Sequence, residues 1–91
     1  PVLIDVRKDQ DFGDDPRLLP GARRRGAETV AAWASDLRGK RAVVVCQRGG
    51  SRSEGAAAWL RAEGVEAEVL EGGFEAWRGG AGLLVKTDAL P

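Results

Sequence analysis

Apolar residues along this chain form two kinds of pattern. Three short runs are apolar with little interruption. "VLIDV" (Val2–Val6) and "RAVVVC" (Arg41–Cys46) read as strands buried on both faces, as in a parallel sheet. "VEAEVLEGG" alternates and then turns, which predicts a third strand at about Glu66–Leu70. Between the runs the period changes to that of a helix. In "GAETVAAWASDLRGK" the residues Ala27, Val30, Ala31, Trp33, Ala34 and Leu37 share one helical face, and Gly39 supplies a stop. "SEGAAAWLRAEG" predicts a second helix, with Ser51 or Ser53 as its N-cap and Gly64 as its stop. "FEAWRG" is a short third helix. The segment "RKDQDFGDDPRLLPGA" is polar and punctuated by Gly13, Pro16, Pro20 and Gly21, so it reads as a loop with room for one helical turn. "AGLLVKTDALP" reads as an irregularly packed tail.

The order is β, α, β, α, β, α. That alternation predicts an α/β fold, a central mostly parallel sheet flanked by helices on both faces. One domain spanning 1–91 fits the length. In such sheets ligands bind outside the carboxyl ends of the strands. Cys46 stands at one such end, and Asp5, Val6 and Arg7 at another.

Composition narrows the chemistry. Fourteen basic and fourteen acidic residues cancel, which is unlike a nucleic-acid binder. No apolar run approaches a membrane span, and no signal peptide opens the chain, so no membrane partner is expected. The abrupt opening "PVLIDVR" suggests a truncated start or a module of a larger protein. Histidine is absent, which removes histidine general bases, Cys–His proteases and most transition-metal sites. No metal and no cofactor is implied. A single cysteine makes no internal disulfide and suits a reducing cytoplasm.

Cys46 is the chemical focus. The thiolate is the nucleophile, and a free cysteine titrates near pH ≈ 8.5, so the surroundings must favour the anion. The helix that follows turns its N-terminal amides and dipole toward the loop. Arg48 and Arg52 add positive charge, and Gly49 and Gly50 let backbone amides turn inward as an anion nest. The bland alternative is that a lone cysteine after three valines is an inert buried residue. Other residues have bland readings too. Arg23–Arg25 are a solvated turn, because three exposed charges give a weak screened field. Trp33, Trp59 and Trp77 are core residues, Gly72 and Gly73 set a tight turn, and Glu54 complements the helix dipole. Arg7 either holds Asp5 and the loop or contacts substrate.

Five stretches in order resemble a rhodanese-like domain across nearly the whole chain. They are "VLIDVR", "LLPGA", "VVVCQRGGSRS", "GAAAWLRAEG" and "LEGGFEAW". The long loop, "DPRLLPGA" and "LEGGFEAW" are also similar to rhodanese-like modules that precede chromate-resistance domains. The resemblance implies a sulfurtransferase. Cys46 would attack the sulfane sulfur of a small anionic donor such as thiosulfate and carry it as a persulfide. It would then pass the sulfur to a thiol, cyanide or a protein acceptor. Gln47, Arg48, Gly49, Gly50, Ser51 and Arg52 would form the cradle, with Asp5 and Arg7 in support.

Two departures matter. The loop lacks the family's usual histidine before Pro-Gly-Ala. Many members also place arginine five positions after cysteine, where this chain has Ser51, with Arg52 one later. The resulting Cys-x5-Arg loop resembles dual-specificity phosphatases and arsenate reductases on the same scaffold, whose wider loop takes a tetrahedral oxyanion. Arg52 would then clamp the oxyanion, and Asp5 is the nearest general-acid candidate, although it resembles the family's structural aspartate. A non-catalytic anion-sensing or partner-binding module is the third alternative.

Overall fold

The computed structural model of the chain describes residues 1–80 and 85–86. Four parallel strands make the central sheet: β1 (Val2–Asp5), β3 (Arg23–Arg24), β4 (Arg41–Val45) and β5 (Glu66–Val69), in the order β3-β1-β4-β5. The three strands expected from the apolar runs are therefore present, and β3 joins them at one edge. A separate antiparallel pair links β2 (Arg17–Leu18) to β6 (Val85–Lys86). The irregular tail expected over 81–91 otherwise lies outside the described residues.

Pleating sorts each strand onto two faces. Ile4, Val6, Ala42, Val44, Cys46 and Ala67 enter one core with Val30, Trp33, Leu37, Ala56, Ala57 and Leu60. Val45 enters the other with Leu18, Leu19, Ala22 and Phe74, over partly buried Leu3, Phe12, Leu70 and Trp77. Fully burying one such side chain stabilises the fold by about 1.5–3 kcal/mol. Helices thus cover both faces, as the alternating pattern requires.

The helices depart from expectation in instructive ways. The first is α1 (Asp9–Asp14), within the segment expected to hold at most one turn. The expected helix over 26–40 is broken into a 3-10 turn (Ala27–Thr29), α2 (Val30–Trp33) and a second 3-10 turn (Ala34–Leu37). Its backbone leaves helical geometry at Thr29 (φ −114, ψ 23) and is widened in φ at Trp33 (φ −116, ψ −5), two residues of only moderate helix propensity. The buried face Val30, Trp33, Ala34 and Leu37 is nevertheless the one the period predicts. The central helix α3 (Ser51–Ala62) begins earlier than expected: Gly50 is its N-cap, and no serine side chain caps it. It ends as expected at Gly64 (φ +86), where the Gly64 amide bonds Arg61 O and the Val65 amide bonds Leu60 O. Trp59 is not core. It is 48% exposed, because the buried stripe of α3 runs through Ser53, Ala56, Ala57 and Leu60, and Trp59 falls off it. The last helix among the described residues is α4 (Gly73–Gly79).

Candidate active site

Cys46 is the first residue past β4, and its side chain turns under the start of α3. The thiol is 4% exposed. Two donors meet it. The Gly49 amide donates to Sγ at 3.1 Å, and the Ser53 hydroxyl lies 2.9 Å away. Gly49 makes its contact at φ +74, a conformation that favours glycine. Ser53 is fully buried in the second position after Ser51 and also reaches Gly50 O at 3.2 Å.

Ser53 has one proton for two partners, which gives the pair two states. With a neutral thiol, S–H donates to Oγ and the hydroxyl donates to Gly50 O. With a thiolate, the hydroxyl donates to sulfur. Burial pushes the Cys46 thiol up, but the Ser53 hydroxyl and the amides of Ser53, Arg48 and Gly50 together outweigh it. The net shift is downward, toward the thiolate. The sequence suggests only a cap at Ser53 and does not reveal its contact with the thiol. The signal is weak, since a serine near a helix start normally serves the backbone.

The expected positive lip is largely neutralised. Arg48 Nε pairs with Glu75 Oε2 at 3.3 Å, and Gln47 Nε2 donates to Glu75 Oε1 at 3.3 Å. Gln47 Oε1 is buried and accepts nothing among the described residues. Arg52 stands in the first turn of α3, where Nε donates to Val6 O and Nη1 pairs with Glu28 Oε1 at 2.6 Å. Hydrogen bonds rather than arginine charge therefore account for the acidity of Cys46. Gly50 and Ser51 form the rim. The loop opens on a cleft of about 580 Å³ bordered by Lys8, Arg48 and Arg52 and by Asp11, Asp14 and Glu75.

The loop is held from below by α4. Phe74 N donates to Cys46 O at 2.8 Å and Glu75 N to Gln47 O at 3.0 Å. Gly73 sits at φ +61, and a Cβ there would overlap Cys46 O and lie 2.6 Å from Gly49 N. Gly73 is thus more than a turn residue: it lets two backbones touch, while Gly72 (φ +75) clears the Ala76 side chain.

Asp5 and Arg7 stand apart from the sulfur. Arg7 is 1% exposed and donates from Nε to Asp5 Oδ2 at 2.8 Å, from Nη1 to Asp15 O at 3.0 Å and from Nη2 to Arg17 O at 2.7 Å. Asp5 Oδ1 takes the Arg7 amide at 2.9 Å. Both carboxylate oxygens are occupied, so Asp5 is a loop-fixing residue and not an available general acid. Among the described residues no group of carboxylates and cysteine could hold a metal ion, and no helix is long and apolar enough to cross a membrane.

Comparison with known proteins agrees with this geometry. The rhodanese-like domain family model matches residues 1–79. A solved rhodanese-like domain from Anabaena sp. superposes with a TM-score of 0.75 at 27% identity, covering 91% of this chain and 95% of that one. A Rhodopseudomonas palustris protein of unknown function, described as a possible tyrosine phosphatase, superposes with a TM-score of 0.75 at 28% identity, covering 91% and 69%. A curated relative, the tRNA 2-selenouridine synthase of Bdellovibrio bacteriovorus, is 48% identical over 52 residues, which are 56% of this chain but only 14% of that protein. Such membership supports a sulfurtransferase-family or related cysteine-based activity. The parallel sheet, the loop after its β4 strand and the family match together assign the chain to the rhodanese-like domain family.

Proposed function

We propose that this domain transfers sulfane sulfur through a persulfide on Cys46. The observation that carries the reading is Cys46 Sγ at a strand end, held by the Ser53 hydroxyl and the Gly49 amide, with its acidity raised. The thiolate attacks the outer sulfur of the donor. A new S–S bond forms to Cys46, the donor's S–S bond breaks, and the leaving group departs with the electron pair, as sulfite when thiosulfate is the donor. A thiophilic acceptor (a thiol, cyanide or a protein nucleophile) then attacks the outer sulfur and returns the Cys46 thiolate. The Gly49 amide and the Ser53 hydroxyl stabilise the negative charge on the sulfur. The chemistry asks for no metal, cofactor or histidine. A reducing cytoplasm would keep Cys46 available. The tRNA in the name of the curated relative adds a nucleic-acid acceptor to the classes worth assaying.

The test is intact mass after incubation with thiosulfate. Wild type gains the mass of one sulfur atom, and Cys46→Ser gains none. If wild type stays unmodified with thiosulfate and with an organic persulfide, the reading fails.

A second reading, a cysteine-dependent phosphatase or arsenate reductase, is favoured by the Cys-x5-Arg spacing from Cys46 to Arg52. The carboxylates facing that cleft are Asp11, Asp14 and Glu75, which are its general-acid candidates. Phosphate-ester turnover by wild type that disappears in Arg52→Ala supports it, and no turnover in wild type removes it.

A further inference from the structure

We propose that Glu28 determines the donor class of the Cys46 cleft: by pairing with Arg52 it selects against tetrahedral oxyanions and in favour of sulfur carried on a thiol as a persulfide. This rests on the reading of Cys46 as the nucleophile and deepens it.

An arginine grips an oxyanion by offering two parallel N–H groups from one edge of its fork. Arg52 has one edge formed by Nε and Nη2 and another by Nη1 and Nη2. Val6 O takes Nε, and Glu28 takes Nη1 at 2.6 Å. Each edge therefore has one donor already committed. Glu28 projects from the turn Ala27–Thr29, which packs on α3, so the partner is fixed by the fold and not by the loop. The hydrogen bond from Arg52 holds the Glu28 carboxyl below its ordinary value, so the pair persists at neutral pH.

The rest of the cleft has the same character. Glu75 occupies Arg48, and Asp11 and Asp14 face the sulfur's opening. A dianion entering here meets two paired arginines and acidic walls, with Lys8 as the remaining cation of the lining. A persulfide donor brings one sulfur and little charge. Its chemistry balances without a cation: the Cys46 thiolate takes the outer sulfur and the donor's thiolate leaves.

The Glu28 side chain is 67% exposed, so the pair is one that solvent weakens. Exposed pairs are weak, and the selectivity they impose is accordingly a factor of about two to five. Glu28 tilts the choice and does not bar the alternative.

The experiment measures protection of Cys46 from iodoacetamide by inorganic arsenate, alongside sulfur loading from an organic persulfide. Glu28→Gln is expected to lower the half-protecting arsenate concentration by about two- to fivefold. Persulfide loading should stay within about twofold of wild type. In the Arg52→Ala background the same Glu28→Gln change should give no gain, because its effect passes through the guanidinium. Unchanged arsenate protection overturns the proposal. So does a gain that survives in Arg52→Ala, which would mark a through-space charge effect. Protection is read whether or not sulfur is transferred. A wild type that loads no sulfur therefore removes the transferase reading, while arsenate protection still decides the role of Glu28.

Discussion

Two loops leave neighbouring strands at the same edge of the sheet, and they are fixed by opposite means. The loop after β1 is held by side chains. Arg7 lies under it with its donors on Asp5, Asp15 and Arg17, and its guanidinium stacks 3.7 Å from the Phe74 ring. The loop after β4 is held by backbone. Gly49 and Gly73 let it lie against α4 with amides on the Cys46 and Gln47 carbonyls. The difference follows from what each loop must leave open. Side chains filling the interior of the β4 loop would occupy the space around the sulfur. Backbone contacts fix the same path and leave the amides free to face it.

The comparison breaks first at Arg7. Arg7→Met leaves the Asp5 carboxylate buried without its cation, a loss of about 3–5 kcal/mol. Urea unfolding measures it. Adding Asp5→Asn should recover part of the loss, since no uncompensated charge remains. A cost below about 1 kcal/mol for Arg7→Met would falsify the strut role. The β4 loop breaks next, at Gly73. Gly73→Ala forces a left-handed residue and a Cβ into Cys46 O, so about 3 kcal/mol of stability should go, together with iodoacetamide reactivity at Cys46. Gly50→Ala is the milder change. A Cβ there meets nothing, so the cost should be only that of alanine at the N-cap of α3, about 1 kcal/mol.

These two loops also mark how far the sequence can be read. Strands β1 and β4 are legible as short β-branched apolar runs such as "AVVV", and β5 from its alternation. The helical face Val30, Trp33, Ala34, Leu37 is legible from its period, while its break into 3-10 turns is not. Strands β2 and β3, two residues each, carry too little pattern to see. At the site, Cys46, the glycine loop and the support role of Asp5 can be read. The partners of the arginines cannot. Glu28 and Glu75 reach Arg52 and Arg48 from distant segments, and only the fold brings them together. Ser53 and Gly73 suggest local roles in the sequence, cap and turn, whereas their constraint is tertiary.

A smaller change separates holding the loop from tuning the sulfur. Ser53→Ala leaves the glycine contacts in place and removes the hydroxyl from Sγ. The stability cost is about 1 kcal/mol, the worth of one hydrogen bond. The Cys46 titration midpoint should rise, because the hydroxyl is the largest of the influences that lower it. Alkylation near neutral pH should slow severalfold, and a rate-against-pH profile distinguishes this from misfolding. Ser53→Thr, which keeps the hydroxyl, should restore the midpoint if the side chain fits.

The smallest effect returns to the β1 side and depends on pH. Arg17 hydrogen-bonds Asp15 through Nε and Nη2, both at 2.7 Å, and Arg78 adds a third contact at 2.9 Å. The Arg17 hydrogen bonds are the main cause, and burial opposes them, yet the Asp15 carboxyl ends well below the usual range. A depressed carboxyl stabilises the fold above the unfolded value of 3.8 and loses that contribution as pH falls toward the folded value. Both arginines are about two-fifths exposed, at 39% and 40%, so screening keeps the contribution near 1 kcal/mol. Asp15→Asn should therefore be less stable than wild type at pH 7 by about that amount, and the gap should close as pH drops below about 4. Arg7 keeps its bond to the Asp15 backbone oxygen in either protein. The strut thus survives the substitution, and Cys46 reactivity at pH 7 should not move. A change in that reactivity would mean the two loops are coupled through Asp15, and that the side-chain and backbone solutions are not independent.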